Sequence, residues 1–455
     1  MKIAIYTLGC KVNQYETQAL EGEALRRGHL LVPFHEAADA YLINTCTVTA
    51  VSDHKSRQAI RRAQKSAPNA VVAVCGCYGQ TNPDAVAALG VHLVAGTADR
   101  MAFLDEVERL VQKRQQATGS ALPSPEPQQG EALSPPSPRL VDDALSRRSF
   151  EFLPAGNLSG RTRSMLKVED GCVNFCSYCI IPYARGPVRS LPLCDAVSEA
   201  KRLAGEGFRE LVITGIEISS WGADFRDGTA LIDLIEALSH AAPTLRLRLG
   251  SLEPRTITAD FCRRAAALPN LCPHFHLSLQ SGCDAVLQRM NRKYDTARYF
   301  RSVTLLRDAF QNPGITTDVI VGFPGETEEE FAVTLAFLEK CRFSALHIFP
   351  YSRRPGTPAD SISCQCSNDV KNARAHRAGE LARRLEEDFL QSLVGTIQTV
   401  LFETEQEGIF RGHCGNYAEI FVPGTHLHNE TRPVRVTDCA HGALQGSLQQ
   451  EEEYF

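Results

Sequence analysis

The sequence of 455 residues contains no run that approaches the roughly 18 uninterrupted apolar residues of a membrane-spanning helix. Its first residues, Met1–Tyr15, show no basic segment followed by an apolar stretch, so we expect no signal peptide. An excess of basic residues is also lacking: the net charge of −5 excludes a uniformly basic nucleic-acid binder, although not a local basic surface. These absences predict a cytoplasmic protein with no membrane contact.

Cysteine, in contrast, is abundant, with 16 residues. Because cytosolic thiols stay reduced, we interpret clustered cysteines as metal ligands and not as a disulfide framework. Isolated cysteines such as Cys262 and Cys341 are interpreted as small buried hydrophobic residues.

The chain is too long for one ordinary domain of about 100–200 residues, and its character changes along its length. We predict four parts: 1–112, a doubly wound α/β domain; 113–157, a Pro-rich linker; 158–390, six strand–helix units forming a partial (β/α)6 barrel; and 391–455, a small β-barrel. The strands predicted in the third part are Arg163–Glu169, Glu210–Thr214, Leu245–Leu252, Phe275–Leu279, Ile315–Val321 and Leu346–Tyr351.

The tightest cysteine cluster is Cys172, Cys176 and Cys179, in a C-x3-C-x2-C loop directly after the first predicted strand of the third part. Three thiolates within one short loop can converge on one metal centre. A structural zinc ion needs four ligands, and no fourth Cys or His lies nearby, so zinc would require a remote residue. On a four-iron cluster, three thiolates leave one iron open for an exogenous ligand, and we favour this interpretation.

A second set, Cys10, Cys46 and Cys77, is spread through the first part, and each cysteine follows a predicted parallel strand. The carboxyl ends of such strands line one edge of a sheet, so we expect the three thiols to meet there as a second three-thiolate cluster site. Cys75 also lies near, but strand alternation places it inside the strand as a buried hydrophobic residue. Gly76 frees the backbone to turn before Cys77, the predicted ligand.

The chain resembles the methylthiotransferase family of radical S-adenosylmethionine (SAM) enzymes, in particular the branch that acts on threonylcarbamoyladenosine in tRNA. The segments that carry the resemblance are Thr7–Gln14 (TLGCKVNQ), Ile43–Thr49 (INTCTVT), Gly76–Tyr78 (GCY), Cys172–Cys179 with Ile181–Gly186 (IPYARG), and Val321–Thr327 (VGFPGET). The chain departs from the family pattern at Gly79, where Ala is usual, at Trp221, where Tyr is common, in its long linker, and in the partial motif Gly415–Tyr417 of a short C-terminal barrel.

This resemblance implies an N-terminal cluster domain, a radical SAM partial barrel and a TRAM-like RNA-binding β-barrel. It implies two 4Fe–4S clusters, SAM as a cofactor, the tRNA anticodon loop as substrate and a reductase as electron donor. The Cys172/Cys176/Cys179 cluster would cleave SAM to a radical that takes hydrogen from C2 of the adenine, and the other cluster would supply sulfur. Such a step needs a cofactor, because this C–H bond is inert to acid–base catalysis.

Further residues are candidates for SAM contacts, since polar groups at strand ends of such a barrel line its site. The strand-end candidates are Glu217, Ser251, Ser278, Gln280 and Asp318, and Tyr178, between the last two cluster cysteines, is a candidate to stack on the adenine of SAM. Each of them is also compatible with a packing or rim role. Local groups of basic residues, including Arg289, Arg292, Arg298, Arg301, Arg353, Arg374, Arg377, Arg383 and Arg384, are either solvated helix faces or contacts to a tRNA backbone.

Two alternative functions stay open. The first is methylthiotransfer to isopentenyl-adenosine in tRNA, although that branch typically opens with Gly-Cys-Gln-Met-Asn. The second is an iron–sulfur electron-transfer or sensor protein with an RNA-binding tail, although electron carriers usually close each cluster with four cysteines.

Overall fold

The computed structural model describes residues 1–119, 138–154, 161–440 and 442–449. The chain separates into two compact units, of which the first comprises Met1–Leu158, Gly171–Val173 and Cys179–Pro187, and the second the remainder. Within the described residues, no helix combines the length and the apolar character that crossing a bilayer requires.

The first unit contains a six-stranded sheet in the order β2-β1-β3-β4-β5-β6, with every pair of neighbours parallel. Its elements are β1 (Lys2–Thr7), α1 (Lys11–Arg26), β2 (Leu30–Val32), β3 (Ala40–Thr45), α2 (Ala50–Ser66), β4 (Val71–Gly76), α3 (Cys77–Thr81), α4 (Pro83–Ala87), β5 (Leu93–Ala95), α5 (Arg100–Gly119) and β6 (Arg139–Leu140). The central strands β3 and β4 are buried along their whole length, as expected for apolar strands covered on both faces. Separate apolar clusters cover the two faces, so the predicted doubly wound α/β fold is confirmed.

The segment 113–157, which we predict to be a linker, is described only in part. Helix α5 extends to Gly119, and β6 adds a strand next to β5. Residues 120–137, which hold most of its prolines, lie outside the described residues, as do residues 155–160.

The second unit contains the strand–helix repeats. The chain continues with β7 (Arg163–Lys167), β8 (Glu169–Asp170), α6 (Ile181–Arg185, in the first unit), β9 (Arg189–Ser190), α7 (Leu193–Gly205), β10 (Glu210–Thr214), α8 (Leu231–Ala241), β11 (Arg246–Leu249), β12 (Ser251–Leu252), α9 (Ala259–Ala266), β13 (His274–Leu277), α10 (Asp284–Arg289), α11 (Thr296–Ala309), β14 (Gly314–Val321), α12 (Glu328–Cys341), β15 (Ala345–Pro350) and α13 (Asn368–Ser392). Short 3₁₀ helices lie at Ala144–Ser146 in the first unit and at Ile218–Ser220, Pro254–Thr256 and Pro358–Ser361 in the second.

The strands of these repeats pair in parallel and in chain order, as β7-β10-β11 and β12-β13-β14-β15. Only Gly250 separates β11 from β12, so the two occupy one strand position. Six consecutive parallel strand positions result, which confirms the predicted partial (β/α)6 barrel.

The last strands form a closed barrel in the order β16-β17-β18-β20-β19. They are β16 (Ile397–Gln406), β17 (Ile409–Cys414), β18 (Glu419–Pro423), β19 (Thr431–Ala440) and β20 (Ala443–Leu448). Apolar residues of these strands share one core with Leu390 and Leu393 at the end of α13. The predicted small β-barrel is confirmed.

One loop of the small barrel, residues 413–417, packs on the amino-terminal end of the partial barrel. Several strands contribute their first residue to this contact: Arg163, Arg246, His274 and Gly314. The ring of Tyr417 lies 4.9 Å from that of His274. A Cβ on Gly314 would lie 2.0 Å from the carbonyl oxygen of Asn416, so only glycine permits this approach. Gly415–Tyr417 therefore joins the small barrel to the end of the partial barrel opposite to the carboxyl ends of its strands.

Candidate functional site

Cys10, Cys46 and Cys77 lie at the carboxyl ends of β1, β3 and β4, which are neighbours in the sheet. Cys10 is the N-cap of α1, Cys46 directly follows β3, and Cys77 begins α3. A Cβ on Gly9, which has a φ of +110°, would lie 3.1 Å from Sγ of Cys46. The turn before Cys10 thus contacts Cys46, and the structure brings this predicted set together.

The pKa shifts of Cys77 and Cys46 also indicate that the three thiols lie close to one another. Burial raises the pKa of Cys77 to about 12; Arg185 opposes this rise, while the neighbouring sulfurs of Cys46 and Cys10 add to it. Burial also raises the pKa of Cys46, again with a contribution from Cys10. Three thiols that influence one another in this way bind as thiolates only where a cation compensates their charge.

The side chain of Asn13 ties the ends of β1 and β3 together. Its Nδ2 donates to the carbonyl oxygen of Leu8 at 2.8 Å and to that of Thr45 at 3.0 Å. Its Oδ1 accepts a hydrogen bond of 2.8 Å from Nη2 of Arg185. The loops that carry Cys10 and Cys46 are therefore held by one amide, which Arg185 orients.

Arg185 belongs to a buried charge cluster of two guanidinium groups and one carboxylate. It pairs with Glu16, and Glu16 also pairs with Arg100 at 2.7 Å. Both arginine side chains are 0% exposed, and Arg185 opposes the rise in the pKa of Cys77, so it favours negative charge at that sulfur. Glu151 also lies near Arg100, since its Oε1 accepts from the backbone N–H of Arg100 at 2.7 Å. Buried charge is costly unless it is balanced, and a cluster held by three thiolates carries net negative charge. The surroundings thus fit a 4Fe–4S cluster.

The loop that contains Cys176 has neither helix nor strand between residues 171 and 180. Nη1 of Arg292 donates to Sγ of Cys176 at 3.2 Å. The backbone N–H of Ser177 donates to the carbonyl oxygen of Met290 at 3.0 Å, and Asn291 Nδ2 donates to that of Phe175 at 2.8 Å. The turn after α10 therefore fixes the position of Cys176.

Cys172 and Cys179 are half-buried. The N–H of Cys172 donates to the carbonyl oxygen of Gly186 at 3.0 Å. That these two thiols and Cys176 hold one cluster stays a prediction from their spacing.

The predicted SAM-contacting residues in the segment after β13 and on β14 lie at adjacent positions. The N–H of Gln280 donates to the carbonyl oxygen of Asp318 at 2.9 Å. Gln280 has a φ of +71°, a conformation that non-glycine residues adopt mainly where the surroundings impose it, often at functional sites. The carbonyl oxygen of Ser278 accepts from Arg292 at 3.4 Å, which links this strand end to the residue that holds Cys176.

Two other predicted SAM-contacting residues, Ser251 and Tyr178, also belong to the second unit. Ser251 is exposed and stands opposite His276 across β12 and β13. Tyr178 packs, partly buried, against an apolar cluster that includes Phe323, next to Ile320 at the end of β14. Its stacking role stays a prediction, since this packing alone accounts for its position.

Glu169 and Glu217 follow the carboxyl ends of β7 and β10 and lie close together, and Glu169 was not among the sequence candidates. Its Oε2 accepts from the N–H of Glu217 at 2.7 Å, while its buried Oε1 has no hydrogen-bond partner among the described residues. Burial raises the pKa of both Glu169 and Glu217. This pair fits the ammonium group of SAM, which would balance the buried charge.

Most of the basic residues considered for tRNA contacts are engaged with acidic side chains. Their partners are Glu330 for Arg289, Asp360 for Arg353, Glu326 for Arg374, Glu328 for Arg377 and Glu339 for Arg384. Arg292 instead contacts Cys176, whereas Arg301 and Arg383 are exposed. For the paired residues, the interpretation as solvated or ion-paired helix faces is favoured.

Sequence comparison adds two family matches. The family described as the Radical SAM superfamily matches residues 166–338, and the one described as Uncharacterized protein family UPF0004 matches residues 2–96.

Curated relatives match nearly the whole chain. The threonylcarbamoyladenosine tRNA methylthiotransferase MtaB of Bacillus subtilis is 37% identical, over 93% of this chain and 90% of the relative. The protein of the same name from Thermotoga maritima is 34% identical, over 95% and 94%. A tRNA-2-methylthio-N(6)-dimethylallyladenosine synthase from Pelotomaculum thermopropionicum is 30% identical, over 98% and 97%.

Among solved structures, the radical SAM methyltransferase TsrM of Kitasatospora setae, with cobalamin and a [4Fe-4S] cluster bound, superposes with a TM-score of 0.53 at 17% identity, over 79% of this chain and 74% of that one. The same enzyme with tryptophan and a SAM analogue gives a TM-score of 0.54 at 16% identity, over 89% and 79%. At this identity the likeness shows the fold.

Proposed function

The chain belongs to the methylthiotransferase family of radical SAM enzymes, and from this membership we propose that it transfers a methylthio group to C2 of N6-threonylcarbamoyladenosine next to the anticodon of tRNA. The family uses SAM and 4Fe–4S clusters. The choice of this nucleoside is supported by the relatives named for it, at 37% and 34% identity, and by the Gly9–Asn13 opening (GCKVN).

The observation that carries the proposal is the meeting of Cys10, Cys46 and Cys77 beside the buried Arg185. Cleavage of SAM alone needs one cluster with an open iron, which the Cys172–Cys179 loop can hold. Sulfur insertion requires a second cluster site as well, and Cys10, Cys46 and Cys77 offer three thiols for it.

We assign one 4Fe–4S cluster to Cys172, Cys176 and Cys179 and a second to Cys10, Cys46 and Cys77. When bound, the two clusters supply the electron that cleaves SAM and the sulfur that is transferred.

The protein's own side chains prepare these sites. Arg292 donates a hydrogen bond to the sulfur of Cys176, and Arg185 favours negative charge on the sulfur of Cys77. Glu169 and Glu217 would hold the ammonium group of SAM, and Gln280 would shape the strand end at the same site.

The substrate and the electron donor are further parts of the proposal. Chemistry at C2 of an adenine requires the base to leave its stack, and an anticodon loop presents unstacked bases. The electron comes from a reductase, since no residue type in the chain supplies a low-potential electron.

Nucleoside mass spectrometry of tRNA from a strain that lacks the gene tests the function. We expect 2-methylthio-N6-threonylcarbamoyladenosine to disappear and its unthiolated precursor to accumulate, with recovery by the wild-type gene and not by Cys10→Ala. Loss of 2-methylthio-isopentenyladenosine instead would assign the chain to the other branch. Unchanged levels of both nucleosides would favour the electron-transfer or sensor alternative.

A further inference from the structure

A polar cluster of three side chains lies on the strands of the partial barrel and belongs to neither cysteine set. His276 on β13, Asp318 on β14 and His347 on β15 each offer one ligating atom, and these atoms lie within 4.8 Å of one another. Nε2 of His276 is 3.4 Å from Oδ2 of Asp318. Two imidazoles and a carboxylate form a donor set that divalent first-row metals accept.

The backbone register fixes this arrangement. Asp318 and His347 are direct partners across β14 and β15. His276 is paired with Thr316, two residues before Asp318, and residues two apart share one face of a strand. On the opposite face of β13, the ring of Phe275 lies 4.9 Å from that of Phe310, at the end of α11. The three side chains therefore project from the strand face that points away from this helix.

The imidazole of His276 is oriented as a metal ligand would be. Its Nδ1 lies 2.9 Å from Oγ1 of Thr316, and this contact turns Nε2 toward Asp318. Metal-ligating histidines are generally held in this way through their second ring nitrogen. Metal–ligand bonds of about 2.0–2.2 Å place neighbouring ligand atoms roughly 3.0–3.5 Å apart, and the distance between His276 and Asp318 lies in this range. His347 is exposed, and its ring lies 5.9 Å from that of His276.

We propose that His276, Asp318 and His347 hold one divalent first-row metal ion whose free coordination positions bind an oxygen-rich group of the substrate. Three protein ligands leave positions open on such an ion. The second part rests on the proposed function: a threonylcarbamoyl group carries a carboxylate, a hydroxyl and a carbonyl oxygen, whereas an isopentenyl group is a hydrocarbon without any ligand atom. A metal here would thus distinguish the two modified adenosines.

Binding of Mn²⁺ to the holoenzyme, with both clusters reconstituted without oxygen, tests the metal site. Mn²⁺ prefers oxygen and imidazole ligands, which keeps it from the cysteine sites. Loss of the electron paramagnetic resonance (EPR) signal of free Mn²⁺ should show about one ion bound per chain, with affinity at least about tenfold lower in Asp318→Asn and in His347→Ala.

The matched control is His376→Ala. His376 forms an exposed pair with Glu380 at 3.4 Å, a His–carboxylate contact without a third ligand among the residues that the structure describes. Its replacement should leave Mn²⁺ binding unchanged. Because His347 is exposed, its variant is expected to fold, which thermal unfolding checks. Absence of Mn²⁺ uptake, or uptake that neither site variant weakens, would overturn the metal site and leave an ion pair between His276 and Asp318.

A second measurement tests the substrate part. Free N6-threonylcarbamoyladenosine should alter the EPR spectrum of bound Mn²⁺, and adenosine should not. Bound Mn²⁺ that responds to neither nucleoside would overturn this part. These outcomes are independent of the nucleosides found in cellular tRNA, so failure of this inference is distinguishable from failure of the proposed function.

Discussion

Arg292 donates a hydrogen bond to the sulfur of Cys176 across 116 residues of sequence. The same guanidinium lies 4.8 Å from the ring of Tyr294, whose hydroxyl donates to the carbonyl oxygen of Leu279 at 2.9 Å. A cation held in this way lowers the cost of adding an electron nearby. Arg292 therefore belongs to the cysteine site and not to a tRNA-binding surface.

Replacement of Arg292 by Gln should change the redox chemistry without removing the cluster. We expect an unchanged iron content, a lower reduction potential of the cluster at Cys172–Cys179, and formation of 5′-deoxyadenosine slowed about tenfold, because hydrogen bonds to the sulfurs and local charge set such potentials. An EPR-monitored redox titration measures the potential. The control is Arg301→Gln, because Arg301 is an exposed residue on α11. If the reduction potential of the cluster is equal in both variants, Arg292 has only a packing role.

Cys77→Ala and Cys75→Ala form a matched pair two residues apart. Burial raises the pKa of both thiols, to about 12 for Cys77 and about 11 for Cys75, so titration does not separate them. Geometry does: Cys75 lies inside β4 in an apolar cluster with Leu42 and Ala73, whereas Cys77 follows the turn at Gly76, with a φ of +96°.

We expect Cys77→Ala to bind about four irons instead of eight and to lose methylthiolation while it still forms 5′-deoxyadenosine. Cys75→Ala should keep both clusters and modify tRNA. Iron analysis and product assays after anaerobic reconstitution measure both. The opposite pattern, in which only Cys75→Ala loses iron, would refute the assignment of Cys77.

Glu210→Gln should strongly destabilise the second unit. Glu210 is 0% exposed and pairs with Arg248 at 2.8 Å and Arg246 at 3.0 Å. Although burial raises the pKa of Glu210, these arginines outweigh that effect and hold it well below its ordinary value. Loss of the carboxylate leaves buried guanidinium groups uncompensated, which costs about 3–5 kcal/mol.

Chemical denaturation measures this loss, and Glu419→Gln is its control. Glu419 pairs with Arg411 on the surface of the small barrel, where such a pair contributes less than about 1 kcal/mol. Because Arg248 also donates to the carbonyl oxygen of Gly415 at 2.9 Å, removal of the small barrel should destabilise the partial barrel as well. A Glu210→Gln protein as stable as the control would show that the charges are hydrated and not buried.

Glu169→Gln should change stability in a pH-dependent manner. Burial raises the pKa of Glu169 well above its ordinary value, so the folded chain retains a proton that the unfolded chain loses near pH 4.3. This group therefore stabilises the fold below about pH 4, and that contribution is lost as the pH rises through its folded pKa. The neutral Gln should make the protein increasingly more stable than the wild type as the pH rises from about 5 to 7. Urea unfolding across this range measures the difference; a constant difference would contradict the raised pKa.

The local sequence was sufficient for the strands and for the strand-end positions of Cys10, Cys46 and Cys77. Glu210–Thr214 occupies the predicted bounds, and Cys10, Cys46 and Cys77 follow the predicted strand ends. Both results come from patterns within a few residues: apolar runs form buried parallel strands, and parallel strands align their carboxyl ends. The sequence by itself thus determined the fold class, the alternation of strands and helices, and the positions of these three thiols at strand ends.

Only the tertiary structure decided what surrounds those thiols. Arg185 reaches Asn13 across 172 residues, and Arg292 reaches Cys176 across 116. In the sequence these arginines look like any surface cation. The role of Tyr417 was decided in the same way, since its ring packs on His274 at the amino-terminal end of the partial barrel. Spacing specifies which residues share a strand or a loop, whereas burial and the pairing of charges depend on contacts between segments that are distant in sequence.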